Sequence, residues 1–392
     1  MAGKRFNSLQ MIERLVGFDT TSSKSNLALI DFVADYLAGH GVASRRTGDD
    51  AGAKANLFAT LGPDAAGGIV LSGHSDVVPV AGQAWDSDPF VLRQADGRLY
   101  GRGTADMKSF IAVALALVPD MQAAGLRTPL YLAISYDEEV GCFGAERLIA
   151  DVTRALPLPR IVIIGEPTDM RLVTAHKGVT VFRTTVIGRA AHSAQPHLGA
   201  NALHAAGSLV HFIETMARDE RAAADPANGF EPPYPSFNVG TFSGGTAQNI
   251  VANHCSFTWE FRALPGDDGA RFLERFNRYA EDEVLPRLRE TAPEAAIKTE
   301  LVVRVPPLAP EPDSPAERLV RALSGANRSE AISFATEGGL FQEAGFSVVV
   351  CGPGSIDQAH RPNEFIEVSQ VEACEVFLHK LIAWAAAGYA AG

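Results

Sequence analysis

The segment GIVLSGHSD, residues 68–76, decides how this chain folds. A short, uninterrupted Ile/Val/Leu run that stops at Gly and polar residues reads as a strand buried on both faces of a largely parallel sheet. This one ends on His74 and Asp76. Five more runs behave alike: RLYGRGT (98–104) leads to Asp106, LYLAISY (130–136) to Glu138 and Glu139, RIVIIG (160–165) to Glu166, AISFAT (331–336) to Glu337, and SVVVCGPG (347–354) opens a loop reaching His360. In open α/β sheets ligands sit beyond the carboxyl ends of the strands. Residues far apart in sequence, two His, two Asp and several Glu, would therefore gather along one sheet edge as a metal site.

Taken singly, each has a plainer reading. A lone His or Asp after a strand is commonly a turn or cap residue, Asp106 suits the cap of a following helix, and Glu166 in IIGEPTD suits a turn. Their joint occurrence favours the metal. Two imidazoles and three carboxylates fit two zinc ions sharing one bridging carboxylate. Two divalent cations carry four positive charges, the carboxylates offset three, and a hydroxide from ionised water offsets the last. Asp76, two residues after His74, is placed to fix the imidazole tautomer. Glu138 and Glu139 are neighbours, and in extended backbone neighbouring side chains point to opposite sides, so one can ligate while the other shuttles a proton.

Two textures divide the chain. Up to about Ala175 strands alternate with helices, including helical patterns at Leu27–Leu37 and Ser109–Met121. From Lys177 to about Arg304 the order becomes strand (179–187), helix (201–217), two strands (237–242 and 254–262), helix (269–289) and strand (297–303). This β-α-β-β-α-β order is that of a ferredoxin-like domain. The first texture returns after Pro306, Pro307, Pro310 and Pro312. The expected architecture is an α/β catalytic domain, with a mostly parallel central sheet flanked by helices, over residues 1–176 and 305–392. An α+β domain at 177–304 interrupts it.

Bulk properties exclude several alternatives. With 46 acidic against 34 basic side chains the formal charge is -12, which argues against a nucleic-acid partner. The longest apolar stretch, Ile111–Val118, falls well short of the roughly 20 residues needed to span a bilayer, so no membrane role is expected. Charges run through the first residues where a secretory signal would be apolar, and the four cysteines are scattered without a C-x-x-C pair. A cytoplasmic protein without disulfides is expected. GRGTAD and GPGSID have neither dinucleotide nor P-loop spacing, and Gly73-His74-Ser75-Asp76-Val77 lacks the last Gly of a serine-hydrolase elbow.

The segments GHSDVVP, GRGTADMKS, DEEVGCFGA, GEPTD and AHSAQPHLGANAL, together with His360, resemble the M20 family of cocatalytic zinc amidohydrolases and peptidases over nearly the whole chain. That resemblance implies a zinc-aminopeptidase-like catalytic domain in which His74 and Glu166 bind one metal, Glu139 and His360 the other, and Asp106 bridges. Asp76 would orient His74, and Glu138 would be the general base. Two Zn2+ ions are implied, with Co2+ or Mn2+ able to replace them. The inserted domain would act as a lid, pair two subunits into a homodimer, and contribute His192 as a donor to the developing oxyanion. CGPGSIDQAHRPNEFIEV, ATEGGLF and HKGV are most similar to the branch that deacetylates N2-acetyl-L-ornithine; the succinyl-diaminopimelate branch usually carries a T-S-G-G-type loop where this chain has Thr336-Glu337-Gly338-Gly339. The substrate would be a small N-acyl amino acid. Arg262 and Asn249 are candidates for gripping its α-carboxylate, with a surface Arg and a turn Asn as the alternatives, and Glu337 is a candidate partner for a side-chain ammonium.

Overall fold

Four of the six apolar runs lie side by side. In the computed structural model, which describes residues 4–65, 67–155 and 161–388, strands Leu130–Ser135, Ile69–His74, Ile161–Pro167 and Ser347–Gly352 form the middle of an eight-stranded sheet and run parallel. Arg160, the first residue of the RIVIIG run, lies outside the described residues. Every residue of the four strands is buried, which is why their sequences are continuously apolar instead of alternating. Ala55–Leu61 and Ser44–Gly48 extend the sheet in antiparallel fashion on one side. On the other side lie Val173–His176, antiparallel to its neighbour, and then Glu330–Ile332. Helices Ser8–Val16, Leu27–Gly39, Lys108–Ala116, Pro315–Ser324 and Val368–Ala387 pack apolar side chains with those of the sheet into the main core.

The remaining two runs differ from their sequence reading. Arg98–Tyr100 belongs to a separate three-stranded sheet, between Arg93–Ala95 and Phe365–Glu367. Only Leu99 of its three residues is buried, the half-buried pattern of a small antiparallel sheet. In AISFAT the strand stops at Ile332, and Glu337 precedes a short helix, Gly338–Glu343. The helix expected at Ser109–Met121 is two helices meeting at Leu117, because Pro119 lies at the start of the second.

The described chain divides into two compact units: residues 4–175 with 308–330 and 336–388, and residues 176–307 with 331–335. The second holds a four-stranded antiparallel sheet in the spatial order Ser236–Gly244, His254–Arg262, Val179–Ile187, Ala296–Val305. Helix Ala202–Ala222 and a second helical stretch, Ala270–Arg289 with a π-turn at Ala280–Val284, supply Leu209, Ile213, Phe272 and Phe276 to a core shared with Phe182, Phe257 and Trp259. The fold is thus a mostly parallel α/β sheet with a ferredoxin-like α+β domain inserted. No helix among the described residues is long and apolar enough to cross a membrane.

Candidate metal centre

Because the central strands run parallel, the residues after their carboxyl ends meet at one edge. His74 is the last residue of its strand and 1% exposed. Its Nδ1 lies 3.0 Å from the Asp76 carbonyl oxygen and 3.6 Å from the Asp76 carboxylate, so the main chain holds the ring at least as closely as the acid does. The freed Asp76 oxygens accept from the Ser22 hydroxyl (2.8 Å) and from the Glu138 and Glu139 amides (3.1 and 3.3 Å). Asp76 thereby ties the loop after its own strand to the loop after the neighbouring one.

His74 Nε2 faces the centre. It lies 3.0 Å from Asp106 Oδ1, 3.5 Å from Glu166 Oε1 and 4.0 Å from Glu138 Oε2. The other Asp106 oxygen lies 3.3 Å from His360 Nε2, which is also 2.9 Å from Glu139 Oε2. Asp106 therefore offers one oxygen to each imidazole. Donors held about 2 Å from a tetrahedral ion are about 3.3 Å from one another, so these spacings suit metal ligands. Two sets, His74/Asp106/Glu139 and His74/Glu138/Glu166, keep their ligand atoms within 4.8 Å of each other. Seven residues singled out in the sequence, His74, Asp76, Asp106, Glu138, Glu139, Glu166 and His360, are brought together within one compact unit.

The family model of peptidase family M20/M25/M40 matches residues 70–384. The chain belongs to the M20 peptidase family. It is 36% identical to an acetylornithine deacetylase of Myxococcus xanthus over 378 residues, covering 95% of this chain and 96% of that protein. A second acetylornithine deacetylase, of Photorhabdus laumondii subsp. laumondii, is 33% identical over 380 residues, covering 96% and 95%. Among solved structures, an M20 family metallo-carboxypeptidase of Sulfolobus solfataricus superimposes with a TM-score of 0.76 at 17% identity, over 97% of this chain and 100% of that one. The last likeness speaks for the fold alone.

Three details of the M20 site depart from the sequence reading. Glu138 and Glu139 stand on a turn, not on extended backbone: Asp137 has φ 57°, and the Gly141 and Cys142 amides donate to the Glu138 carbonyl. Turn geometry separates the pair, sending Glu139 to His360 and leaving Glu138 near His74, where the Cys142 thiol donates to its Oε1 at 3.5 Å. Glu337 is 1% exposed and its two oxygens accept from the Ser72 and Ser135 hydroxyls. A carboxylate so enclosed between two strands is poorly placed to meet a substrate ammonium. Finally, His192 and Asn249 lie beside each other on exposed loops of the inserted unit, where the Ser193 amide donates to the Asn249 carbonyl and His192 bridges to Ile250. Arg262, paired with Glu260, is at the other end of strand His254–Arg262, roughly 26 Å along an extended strand. Within one chain Arg262 and Asn249 cannot hold the same carboxylate.

The sequence reading missed the anchors: Ser22, Gln83, Arg102, Cys142 and Glu364. A buried arginine needs a partner, but nothing in GRGTAD marks Arg102 as buried. Glu364, in PNEF, precedes only a three-residue strand.

So many acids in one buried place disturb one another. Burial, with repulsion from Glu139, Asp106 and Asp76, pushes the Glu138 carboxyl up to about 8 despite His74. Burial and Asp106 push Glu139 up to about 7. Burial alone would lower His74, but Glu166, Asp106, Asp76 and Glu138 outweigh it and hold the ring well above its ordinary value. Hydrogen bonds to Asp106 and Glu139 raise His360 to about 10. Each raised group stabilises the fold fully below its unfolded pKa, and that contribution is lost as pH climbs through the folded one. Glu138 and Glu139 lose theirs between about 4.5 and 8, and the histidines theirs above about 6.5, so all four act in the same direction. His176, held down at about 4, and Lys108, at about 7, pull the other way below about 6.5 and above about 7. The four raised groups outnumber them, so chelator-treated protein is expected to melt at lower temperature at pH 9 than at pH 5.5, and added Zn2+ to flatten the trend. Melting curves across that range check it; a flat or rising trend without metal would contradict these electrostatics.

Proposed function

We propose that this M20 family chain hydrolyses N2-acetyl-L-ornithine to L-ornithine and acetate with two divalent cations, zinc in the first instance. The observation that carries the metal reading is Asp106, with one carboxylate oxygen at each of the two imidazoles. The substrate rests on 36% and 33% identity to acetylornithine deacetylases over nearly full length. His74 and Glu166 would hold one cation, Glu139 and His360 the other, and Asp106 both. When bound, such cations polarise an amide carbonyl and lower the pKa of water.

The rest falls to the side chains. Glu138, 4.0 Å from His74 and outside the Asp106–His360–Glu139 contacts, accepts a proton from the water that attacks the amide carbon. It returns that proton to the amine nitrogen as the C–N bond breaks, so one water is consumed for each acetate and amine released. Asp76 keeps His74 and the Glu138–Glu139 turn in place through the contacts above. Arg262 offers a planar fork to the α-carboxylate, and His192 a donor to the oxyanion. Because Arg262 and the His192–Asn249 pair occupy opposite ends of the inserted sheet, a homodimer paired through that domain would let one end serve the partner's site.

Release of free amine from N2-acetyl-L-ornithine by zinc-loaded protein tests the proposal, run beside N-succinyl-diaminopimelate and a chelated sample. Chelator-sensitive turnover of the acetyl substrate is expected. Turnover of the succinyl substrate alone would move the enzyme to another branch of the family, and turnover that survives thorough chelation would overturn the metal mechanism.

A further inference from the structure

Two buried carboxylates that are not candidate ligands collect main-chain amides around this centre. Asp76 does so for Glu138 and Glu139. Glu364, 1% exposed, does so for the turn before Asp106: its Oε1 accepts from the Ala105 and Asp106 amides at 2.8 and 3.1 Å, and its Oε2 from the Gly103 amide at 3.0 Å and Arg102 Nη1 at 2.6 Å. The turn that presents Asp106 is thus wrapped around one carboxylate. Register explains how it arrives there: Phe365 pairs with Tyr100, and the Gly101 amide donates to the Glu364 carbonyl.

The same network reaches His360. Arg102, itself 1% exposed, donates through Nη2 to Gln83 Oε1 at 2.6 Å, and Gln83 Nε2 donates to the His360 carbonyl at 2.9 Å. His360 has φ 62°, a left-handed conformation that a non-glycine residue keeps only when its surroundings impose it. Three intervening residues and, by a second route, the Arg102 and Gln83 side chains therefore connect Glu364 to His360, while its amide contacts fix Asp106. None of the hydrogen bonds of Glu364 goes to His74, Glu138, Glu139 or Glu166.

We propose that Glu364 is the positioning residue for the His360 half of the metal centre, setting Asp106 and His360 at their mutual 3.3 Å through the Arg102–Gln83 link. This rests on the two-cation reading above. The test is calorimetric titration of metal-free protein with Zn2+ and Co2+, comparing wild type with Glu364→Gln, alongside circular dichroism melting and the visible absorption of the Co2+ form. Glutamine keeps the shape but turns an N–H toward a donor and removes the charge opposite Arg102. One of the two metal equivalents, the one that Glu139 and His360 would hold, is expected to lose 10- to 100-fold in affinity, the range typical for partners that orient ligands, with an altered Co2+ spectrum. A role in folding alone would lower the melting temperature and leave both equivalents unchanged. Two equivalents within threefold of wild type in a folded variant would overturn the proposal.

Should Glu364→Gln fail to fold, Gln83→Ala decides, because it leaves the Arg102–Glu364 pair intact and removes the link from Arg102 to His360, together with the acceptor of the Trp85 indole. Weakening of one equivalent there supports the assignment, and a wild-type isotherm refutes it. Wild-type protein that takes up a single equivalent would instead sink the two-cation reading itself, an outcome distinct from any result in the variants.

Discussion

Replacing Glu138 by glutamine is expected to lower kcat for N2-acetyl-L-ornithine by about 10³-fold, with KM and metal content close to wild type. General acid–base catalysis by a positioned side chain contributes typically 10²- to 10⁴-fold, and here the same carboxylate is asked to move the proton twice. Its setting suits that work. Burial and the surrounding acids push it up to about 8 in the metal-free protein, and two bound cations would draw it back down, leaving a carboxylate that is ionised yet more basic than an exposed one. The Cys142 thiol holds Oε1 while Oε2 stays toward the centre, 4.0 Å from His74 Nε2. Glutamine preserves size and hydrogen bonding but cannot accept the proton. Steady-state kinetics with metal analysis on the same samples check this. The geometry also allows a competing outcome, since Glu138 shares a compact donor set with His74 and Glu166. If the variant loses a metal equivalent along with its activity, Glu138 is a ligand; if kcat falls less than tenfold with both metals retained, it is not the base.

What the sequence could and could not reveal divides along a physical line. A strand buried on both faces must be apolar at every position, so Ile69–Leu71, Ile161–Ile164 and Val348–Val350 announce themselves, and the polar residue where each run stops marks the sheet edge. Parallel order then carries His74, Glu139, Glu166 and His360 to one place without any knowledge of contacts. Asp106 was found by its neighbourhood in sequence, though the run before it belongs to another sheet. Glu337 illustrates the converse error: an acid following an apolar run looks like a site residue, yet its oxygens are held by the hydroxyls of Ser72 and Ser135. Periodicity locates backbone and cannot say which way a side chain turns once the strand has ended. Arg102 and Glu364 lie in loops 262 residues apart, and only tertiary structure makes them a pair.

Glycine 352 shows the same limit from the backbone side, and Gly352→Ala is expected to destabilise the protein by at least about 3 kcal/mol, the upper part of the usual range for overpacking, and to weaken metal binding. In the sequence this glycine merely ends SVVVCG. In the fold, a Cβ added there would lie 2.0 Å from the Gly165 carbonyl oxygen, 2.3 Å from its carbon and 2.6 Å from the Glu166 oxygen. All three are backbone atoms, so no rotamer change relieves the clash, and strand Ile161–Pro167 would have to move aside. It cannot retreat freely: its own Gly165 lies against the Phe110 ring, which a Cβ would meet at 2.0 Å. Any displacement carries Glu166 with it, away from the 3.5 Å spacing to His74. Denaturant unfolding of metal-free protein and zinc titration measure the two effects separately. Gly207 supplies the control. It lies within helix Ala202–Ala222, and a Cβ there meets nothing within 4 Å. Alanine at 207 should therefore stabilise by about 0.5–1 kcal/mol through its higher helix propensity. The same added methyl is thus expected to act with opposite sign at the two positions, and a Gly352→Ala protein as stable as wild type would mean that these strands do not pack backbone against backbone beside Glu166.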